Sequence, residues 1–228
     1  DATLYLREAE QLEGLLPGLP SQQQEAARAE IKQLYHQAGA AFSRVLEATS
    51  PRFFSRALFG AGHAFWKSGD YVMAVLFLRQ YAAQNIKNAD VPRALIEEAG
   101  ALAELGDYEA AIRVCMENAR VHPTNIYAYQ AILLQADLYF ELGGQNIRHA
   151  AEGYQGILTD RRFEASSSEW RSAVFSLGKA LYLMGDYKGA VLKLDEAMAR
   201  FKDDPRATEA QYYLGLASRQ VAFGDEAL

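Results

Sequence analysis

Residues 174–197 read VFSLGKALYLMGDYKGAVLKLDEA, and this stretch decides the fold. Its first part repeats apolar and small residues at helical spacing, and so does its last part. Between them, Gly can adopt the left-handed conformation that ends a helix, and Asp can accept hydrogen bonds from the first N–H groups of the next helix. The stretch therefore predicts two helices joined by a tight turn. The positions that form the pattern are Val174, Leu177, Gly178 and Leu181, the turn Gly185-Asp186-Tyr187, and Ala190, Leu194 and Ala197.

The same turn recurs along the chain. Gly-Asp-Tyr also occurs at 69–71 and 106–108, Gly-Asp-Glu at 224–226 is a variant, and Gly143-Gly144 falls midway in the longest interval. The turns thus repeat about every 40 residues, and a period of about 20 to 50 residues indicates a solenoid whose units cover one another's apolar faces. Prolines mark the other ends of the units, at Pro51, Pro92, Pro123 and Pro205.

The chain shows no convincing alternation with a period of two, so we predict an all-α fold. The pattern resembles the tetratricopeptide repeat (TPR) family, in which a Leu-Gly pair, a Gly-Asp-Tyr turn and a spaced series of Ala and aromatic residues follow one another. The resemblance covers about residues 51–228, and its specificity comes from recurrence rather than from any single match. It implies a right-handed superhelix of antiparallel helix pairs.

The resemblance divides the chain into an N-terminal hairpin and about four and a half repeats. We expect the hairpin, residues 1–50, to be a diverged repeat with a helix over 3–16, a break at Pro17–Pro20, and a capping box of Ser21 and Gln24 that starts a second helix. The predicted repeats are 51–90, 91–124, 125–165, 166–204 and a truncated 205–228.

Both ends of the sequence suggest a fragment of a longer protein. The chain begins at Asp1 without Met, and Leu228 falls just inside the predicted second helix of the last repeat. We expect a leader to have been removed, which favours a bacterial periplasm or cell envelope over the cytoplasm. A cloned internal fragment would have the same ends.

Composition and spacing exclude several functions. With 23 Lys and Arg against 29 Asp and Glu, the net charge is −6, which argues against nucleic acid as a partner. No apolar run approaches the roughly 20 residues that a membrane-spanning helix needs, so no direct membrane insertion is expected. The four histidines lack metal-binding spacing, and the single cysteine, Cys115, occupies an apolar helix position. We therefore expect no enzyme activity, no cofactor and no metal.

The resemblance also implies a binding surface. In TPR proteins the first helix of each pair lines the concave face of the superhelix, where a protein or peptide partner binds. Phe59, His63 and Trp66 share one helix face because their spacing is i, i+4, i+7. The positions of this face that we expect to contact a partner are Arg56, Phe59, His63, Trp66, Lys67, Arg93, Ile96, Leu133, Asp137, Phe140, Phe175, Lys179, Tyr182, Tyr212 and Arg219.

Two interpretations of the aromatic residues stay open at this stage. They can pack against neighbouring helices, since large aromatic side chains are usually buried. Alternatively, they form a groove for an apolar or acidic-tipped peptide, oriented by the cations Arg56, Lys67, Arg93 and Lys179. The TPR clamp for a chaperone's C-terminal carboxylate is disfavoured, because Phe59 and His63 stand where that clamp has Lys and Asn.

The leading hypothesis is therefore a non-catalytic scaffold that binds a peptide or protein partner in a concave groove. One alternative is a structural subunit that self-associates through its truncated C-terminal edge. Another is an accessory TPR region of a larger multidomain or envelope protein.

Overall fold

The computed structural model describes residues 2–48, 51–84 and 88–226, and within these ranges it contains helices and no strand. The predicted all-α fold is confirmed. The chain forms two compact units, Asp1–Val114 and Cys115–Leu228.

The first unit is a row of antiparallel helices, each packed against the next. Each of the helices α1 to α4 contacts the next one in the chain, up to α5, and α3 also contacts α5. A short 3-10 turn over Leu16–Gly18 separates α1 from α2, where the two prolines predicted a break. The Gln24 side chain donates to the Leu19 carbonyl at 2.9 Å instead of closing the predicted capping box, because the chain before α2 brings that carbonyl within its reach. The helices are α1 (Ala2–Leu15), α2 (Ser21–Ala48), α3 (Pro51–Ser68), α4 (Tyr71–Gln84), α5 (Val91–Glu104) and the start of α6 (Tyr108–Val121).

The second unit repeats this arrangement. Each helix from α7 to α11 packs against the next, and the alternate helices α7, α9 and α11 also contact their nearest counterparts. The bounds are α7 (Ile126–Leu142), α8 (Asn146–Thr159), α9 (Ser168–Leu183), α10 (Tyr187–Arg200) and α11 (Ala207–Glu226). We call α3, α5, α7, α9 and α11 first helices and their successors second helices.

The three Gly-Asp-Tyr turns share one geometry. Each glycine has a positive φ, and the N–H of the following Asp donates to the carbonyl five residues earlier, at 2.9 to 3.0 Å. The Asp side chain then accepts a backbone N–H from the first turn of the next helix. The predicted role of both residues is therefore confirmed. The glycines are Gly69, Gly106 and Gly185, with φ of 87°, 79° and 82°, and the side-chain bonds are Asp70 to Met73, Asp107 to Ala110 and Asp186 to Gly189.

In two helix pairs the first helix carries a glycine where it packs against its second helix. A Cβ on Gly178 would lie 2.6 Å from the Leu194 side chain, and one on Gly62 would lie 2.7 Å from that of Leu78. Both leucines are fully buried. Any larger residue than glycine therefore forces the paired helices apart or displaces a core leucine.

The predicted turn at Gly224 is wrong, because α11 continues as a helix to Glu226. Gly178 abuts a second helix, whereas a Cβ on Gly215, the matching residue of the second Leu-Gly pair, would meet nothing within 4 Å. Glycine is tolerated inside a helix, so the Gly-Asp motif alone does not end one. The predicted chain end at Leu228 lies outside the described residues, and the repeat limits stay a prediction.

Two glycines in equivalent Leu-Gly pairs allow a matched test. Gly178→Ala should lower the free energy of unfolding by about 1 to 3 kcal/mol, because the added methyl group collides with Leu194. Gly215→Ala should raise it by up to about 1 kcal/mol, because alanine favours the helix and the site is open. Urea unfolding followed by circular dichroism measures both. Equal effects of the two substitutions would contradict the proposed close contact.

Candidate functional site

The candidate site of the first unit lies where α3 faces α5. Three residues of α3 lie opposite three residues of α5, and in each pair the partners are 34 residues apart, the length of a TPR unit. Both sets have the spacing i, i+4, i+7, which places each set on one helix face. The pairs are Phe59 with Arg93, His63 with Glu97, and Trp66 with Gly100.

The middle pair is a buried polar cluster. His63 is 8% exposed and Glu97 is 5% exposed, and His63 Nδ1 lies 3.0 Å from both carboxylate oxygens. Arg93 Nε donates to Glu97 Oε1 at 2.9 Å, and Arg93 Nη2 lies 3.3 Å from the ring nitrogens of His63. These contacts fit a ring that donates from Nδ1 to Glu97 and accepts at Nε2 from Arg93. His63 is therefore used to join α3 to α5 and is not available to a partner.

Phe59 is also committed mainly to packing. Its half-buried ring lies 5.2 Å from the ring of Tyr81 and 6.1 Å from that of His63. The Arg93 guanidinium covers it at 5.3 Å from the ring centre. For Phe59 and His63 the packing interpretation of the aromatic stripe is therefore the right one.

Trp66, the last residue of the stripe, is different. Its half-buried indole borders a pocket of about 280 Å³ that Lys67, Tyr71, Gly100 and Glu104 also line. A Cβ on Gly100 would lie 3.5 Å from the indole nitrogen, so glycine leaves this side of the pocket open. Within the described residues the indole N–H donates to no acceptor. Trp66 thus presents an apolar ring and a free donor to whatever enters the pocket.

Lys67 is held by the N-terminal hairpin. Its Nζ donates to Glu13 Oε1 at 2.8 Å, while the Tyr35 hydroxyl donates to the other oxygen of the same carboxylate at 2.7 Å. The hydrogen bond from Lys67 holds the pKa of Glu13 below its usual value, although burial opposes the shift. Glu13 therefore ties α1 to α2 and α3.

The remaining two predicted residues of this unit are not part of the α3–α5 pairs. Arg56 is exposed and lines a separate pocket together with residues of α1 and α2. Ile96 is half-buried on α5.

In the second unit, α7 contributes three predicted residues, all half-buried: Leu133, Asp137 and Phe140. Asp137 accepts a hydrogen bond from the Tyr154 hydroxyl of α8 at 2.7 Å. Burial raises the pKa of Asp137, and this hydrogen bond opposes the shift. Asp137 therefore satisfies a buried tyrosine instead of pointing to a partner.

Lys179 is the centre of an aromatic cluster on α7, α9 and α11. Its Nζ lies 5.5 Å from the ring centre of Phe140 and 5.7 Å from that of Tyr213, and it pairs with Glu209 at 2.7 Å. Tyr182 stands edge-on to Tyr213 at 5.4 Å. Three predicted residues, Phe140, Lys179 and Tyr182, thus belong to one cluster, in which Tyr213 connects Tyr182 to Lys179.

Phe175 is a correction to the predicted surface. It is 2% exposed and belongs to the core, because the Arg206 guanidinium covers its ring at 5.0 Å. Arg206 in turn is fixed by Asp204, and its guanidinium lowers the pKa of that carboxyl to about 2. Tyr212 and Arg219 of α11 are exposed, as a partner-binding role requires.

The predicted cationic rim is largely neutralised. Lys67, Arg93 and Lys179 each lie within 3 Å of a carboxylate oxygen of this chain. An acidic group would have to compete with these ion pairs for the three cations.

Metal binding, membrane spanning and cysteine reactivity can each be checked against the described residues. They contain no group of three or more His, Cys, Asp or Glu side chains that could hold a metal ion, and none of their helices is long and apolar enough to cross a bilayer. Cys115 is buried, and burial raises its thiol pKa to about 12, so the prediction of a core cysteine is confirmed.

Three important residues were missed by the sequence analysis: Glu13, Glu97 and Gly100. Two of them had a usable signal, since Arg93, Glu97 and Gly100 show the same i, i+4, i+7 spacing as the aromatic stripe. Glu13 had none, because its contacts to Tyr35 and Lys67 join residues 22 and 54 positions away.

Helix pairs with Gly-Asp turns, stacked so that first helices contact each other, define a helical-repeat protein of the TPR type. No protein-family model and no curated protein sequence matches the chain. Among solved structures, a tetratricopeptide repeat protein from Parabacteroides merdae covers 96% of this chain and 76% of its own length, with a TM-score of 0.59 and 16% identity. A putative kinesin light chain from Podosopora anserina with nearly identical TPR-like repeats covers 90% of this chain and 99% of its own, with a TM-score of 0.62 and 16% identity.

A third similar structure is the Rap conjugation gene regulator of the plasmid pLS20 in complex with the Phr* peptide. It has a TM-score of 0.58 and 13% identity, and the match spans 89% of this chain and 60% of that protein. At these identities the similarity establishes the fold. The chain therefore has the tetratricopeptide repeat fold that its sequence motifs predicted.

The buried polar cluster yields a stability prediction. Glu97→Ala should lower the free energy of unfolding by about 2 to 4 kcal/mol, because it leaves His63 and Arg93 without their shared acceptor. Glu104→Ala, at an exposed position of the same helix, is the control and should change it by less than about 0.5 kcal/mol. Urea titrations of both variants give the comparison. If the urea midpoint of Glu97→Ala equals that of the wild type, the cluster does not stabilise the α3–α5 contact.

Proposed function

We propose that this chain is a non-catalytic scaffold that binds a peptide or protein partner on its first helices. The observation that carries the proposal is the Trp66 pocket, where a half-buried indole with a free N–H faces the open side left by Gly100. Tryptophan is enriched among the residues that dominate binding energy at protein interfaces. A pocket bounded by such a ring suits one side chain of a partner, and the indole N–H suits a backbone carbonyl next to it.

The second unit supports the same proposal. Tyr212 is exposed beside Tyr213, and the two rings stand edge-on at 5.5 Å. Tyrosine provides a rigid apolar contact with a polar tip and loses little conformational entropy on binding. We therefore expect rings, rather than cations, to anchor the partner in both units.

The comparisons are consistent with this proposal. The Rap regulator, one of the structures with the same fold, was solved with a peptide bound. Several titratable groups of the first helices, among them His63, Lys67 and Lys179, pair within this chain, which gives them structural roles and favours a scaffold over an enzyme. Export to a bacterial periplasm or cell envelope stays a prediction.

Changes at the Trp66 pocket test the proposal directly. Affinity capture with the full chain, followed by quantitative mass spectrometry, should identify a partner whose recovery falls at least about tenfold in Trp66→Ala, because loss of a binding hot spot costs about 2 kcal/mol or more. Gly100→Leu should cause a similar loss, because it fills the pocket while Trp66 is kept. Trp66→Phe should retain part of the binding, since it removes only the donor and some ring area.

Two controls separate binding from folding. Gly100→Ala fits the available space and should bind normally, and Leu76→Ala changes an exposed residue of the second helix α4. Urea unfolding must show that each variant folds. A partner that Trp66→Ala and Gly100→Leu still capture at the wild-type level would refute binding at this pocket.

Self-association is the second candidate, and one observation favours it. An apolar groove of about 410 Å³ lies between α10 and α11, lined by Val191, Leu192, Val221 and Ala222, and Leu192 is 71% exposed. Exposed apolar surface of this kind can seat another copy of the chain.

Light scattering distinguishes this candidate from the scaffold. If the groove mediates assembly, the wild-type mass should rise with concentration, and Leu192→Glu should restore a monomer because it places a charge in the groove. Glu152→Gln, an exposed charge change on α8, is a control that should not alter the mass. A monomeric wild type at high concentration rules the candidate out.

A further inference from the structure

A second pocket in the first unit differs in chemistry from the Trp66 pocket. It lies where α1, α2 and α3 meet and has a volume of about 470 Å³, within the range of ligand-binding pockets. We call it the N-terminal pocket. The residues that matter most for its chemistry are Phe42, Arg44, Val45, Phe53, Arg56 and Ala57.

The walls of the N-terminal pocket are apolar. Phe42 and Ala57 belong to the core, and Val45 is half-buried, so these side chains form a fixed floor. Phe53 is 54% exposed and lies at the rim. An exposed ring next to an apolar cavity adds apolar surface that a bound group can cover.

The charged side chains that line the pocket are positive. Arg44 on α2 and Arg56 on α3 both line it and are exposed, and the described lining residues include no carboxylate. Neither guanidinium forms an ion pair with any residue whose side chain the structure describes. This contrasts with Lys67, Arg93 and Lys179, which are all paired. The chain as a whole carries a net charge of −6, so two unpaired arginines beside an apolar cavity make this part of the surface locally positive.

We propose that the N-terminal pocket binds a peptide segment of a partner protein in which an apolar side chain is followed by carboxylates. The apolar side chain enters between Phe42 and Phe53, and the carboxylates meet Arg44 and Arg56, whose planar groups can each donate two hydrogen bonds to a carboxylate.

The shape of the pocket favours a peptide over a free fatty acid. The pocket is open to solvent, so a side chain can enter while its backbone stays outside. A long alkyl chain would leave part of its length in water and lose that part of the hydrophobic stabilisation. This site is separate from the Trp66 pocket, and neither proposal depends on the other.

Two matched peptides test the proposal on the full chain by fluorescence anisotropy. The probes are fluorescein-labelled Gly-Ser-Phe-Leu-Asp-Glu and its neutral isostere Gly-Ser-Phe-Leu-Asn-Gln, both with an amidated C-terminus. The acidic peptide should bind at least about tenfold more tightly, and this preference should shrink as salt is added, because part of it is charge attraction. Equal binding of the two peptides, or no binding of either, would overturn the proposal even without any protein variant.

Variants then locate the site. The double variant Arg44→Gln/Arg56→Gln should lose the preference for the acidic peptide. Arg28→Gln/Arg113→Gln removes the same charge from exposed positions outside the pocket lining and should keep the preference. Trp66→Ala should also keep it. Binding that is lost in Trp66→Ala but kept in Arg44→Gln/Arg56→Gln would assign the peptide to the Trp66 pocket and overturn the present proposal.

A third probe separates peptide from lipid. Decanoate, which combines an alkyl chain with a carboxylate, should compete only weakly with the acidic peptide. If decanoate binds to the wild type and not to Arg44→Gln/Arg56→Gln, while the peptides do not bind, the pocket is a lipid site and the peptide proposal is wrong.

Discussion

The close approach of paired helices at glycine is the constraint on which the other features depend. Leu194 fills the space above Gly178, and Leu78 fills that above Gly62, with too little room for a single added carbon atom. This contact sets the distance between a first helix and its second helix, and the left-handed glycine in each turn sets the reversal of the chain. Once both are fixed, the next first helix can pack only against the previous one, which produces the contacts of α3 with α5 and of α9 with α11.

That stacking explains why residues 34 positions apart meet. A first helix is followed by its second helix and two turns before the next first helix begins, so facing residues are separated in sequence by roughly one repeat. His63 and Glu97 are an example, and Ser172 with Arg206 in the second unit is another. Helix α5 is fixed on two sides by adjacent residues, since Glu97 binds α3 and Glu98 accepts from Arg79 of α4 at 2.8 Å. Burial raises the pKa of Glu98, and the hydrogen bond from Arg79 opposes this rise. The contact between α4 and α5 therefore includes a carboxylate that is largely shielded from water.

The sequence predicted the fold well and the site only partly, for a physical reason. Helices and turns arise from local rules, so Gly185-Asp186 and the spacing around Leu177 were sufficient to identify them. Gly224 misled because its motif resembles the others, although α11 continues through it as a helix. For the site, helical spacing correctly placed Phe59, His63 and Trp66 on one face, but it could not show how much of that face a neighbour covers. The burial of each residue depends on the opposite helix. Glu97 pairs with His63 and covers it, whereas Gly100 has no side chain to cover Trp66.

The same comparison explains where recognition can occur on this chain. A polar or charged side chain that faces a neighbouring first helix is drawn into an internal pair, because an unpaired charge between packed helices is costly. Lys67, Asp137 and Lys179 show this outcome. We therefore expect binding where stacking leaves a gap, as it does where glycine faces Trp66, and where arginines lie outside the α3–α5 pairs, as in the N-terminal pocket. Regular stacking and partner recognition thus compete for the same side chains, because a first-helix residue that pairs with a neighbouring helix is no longer free to contact a partner.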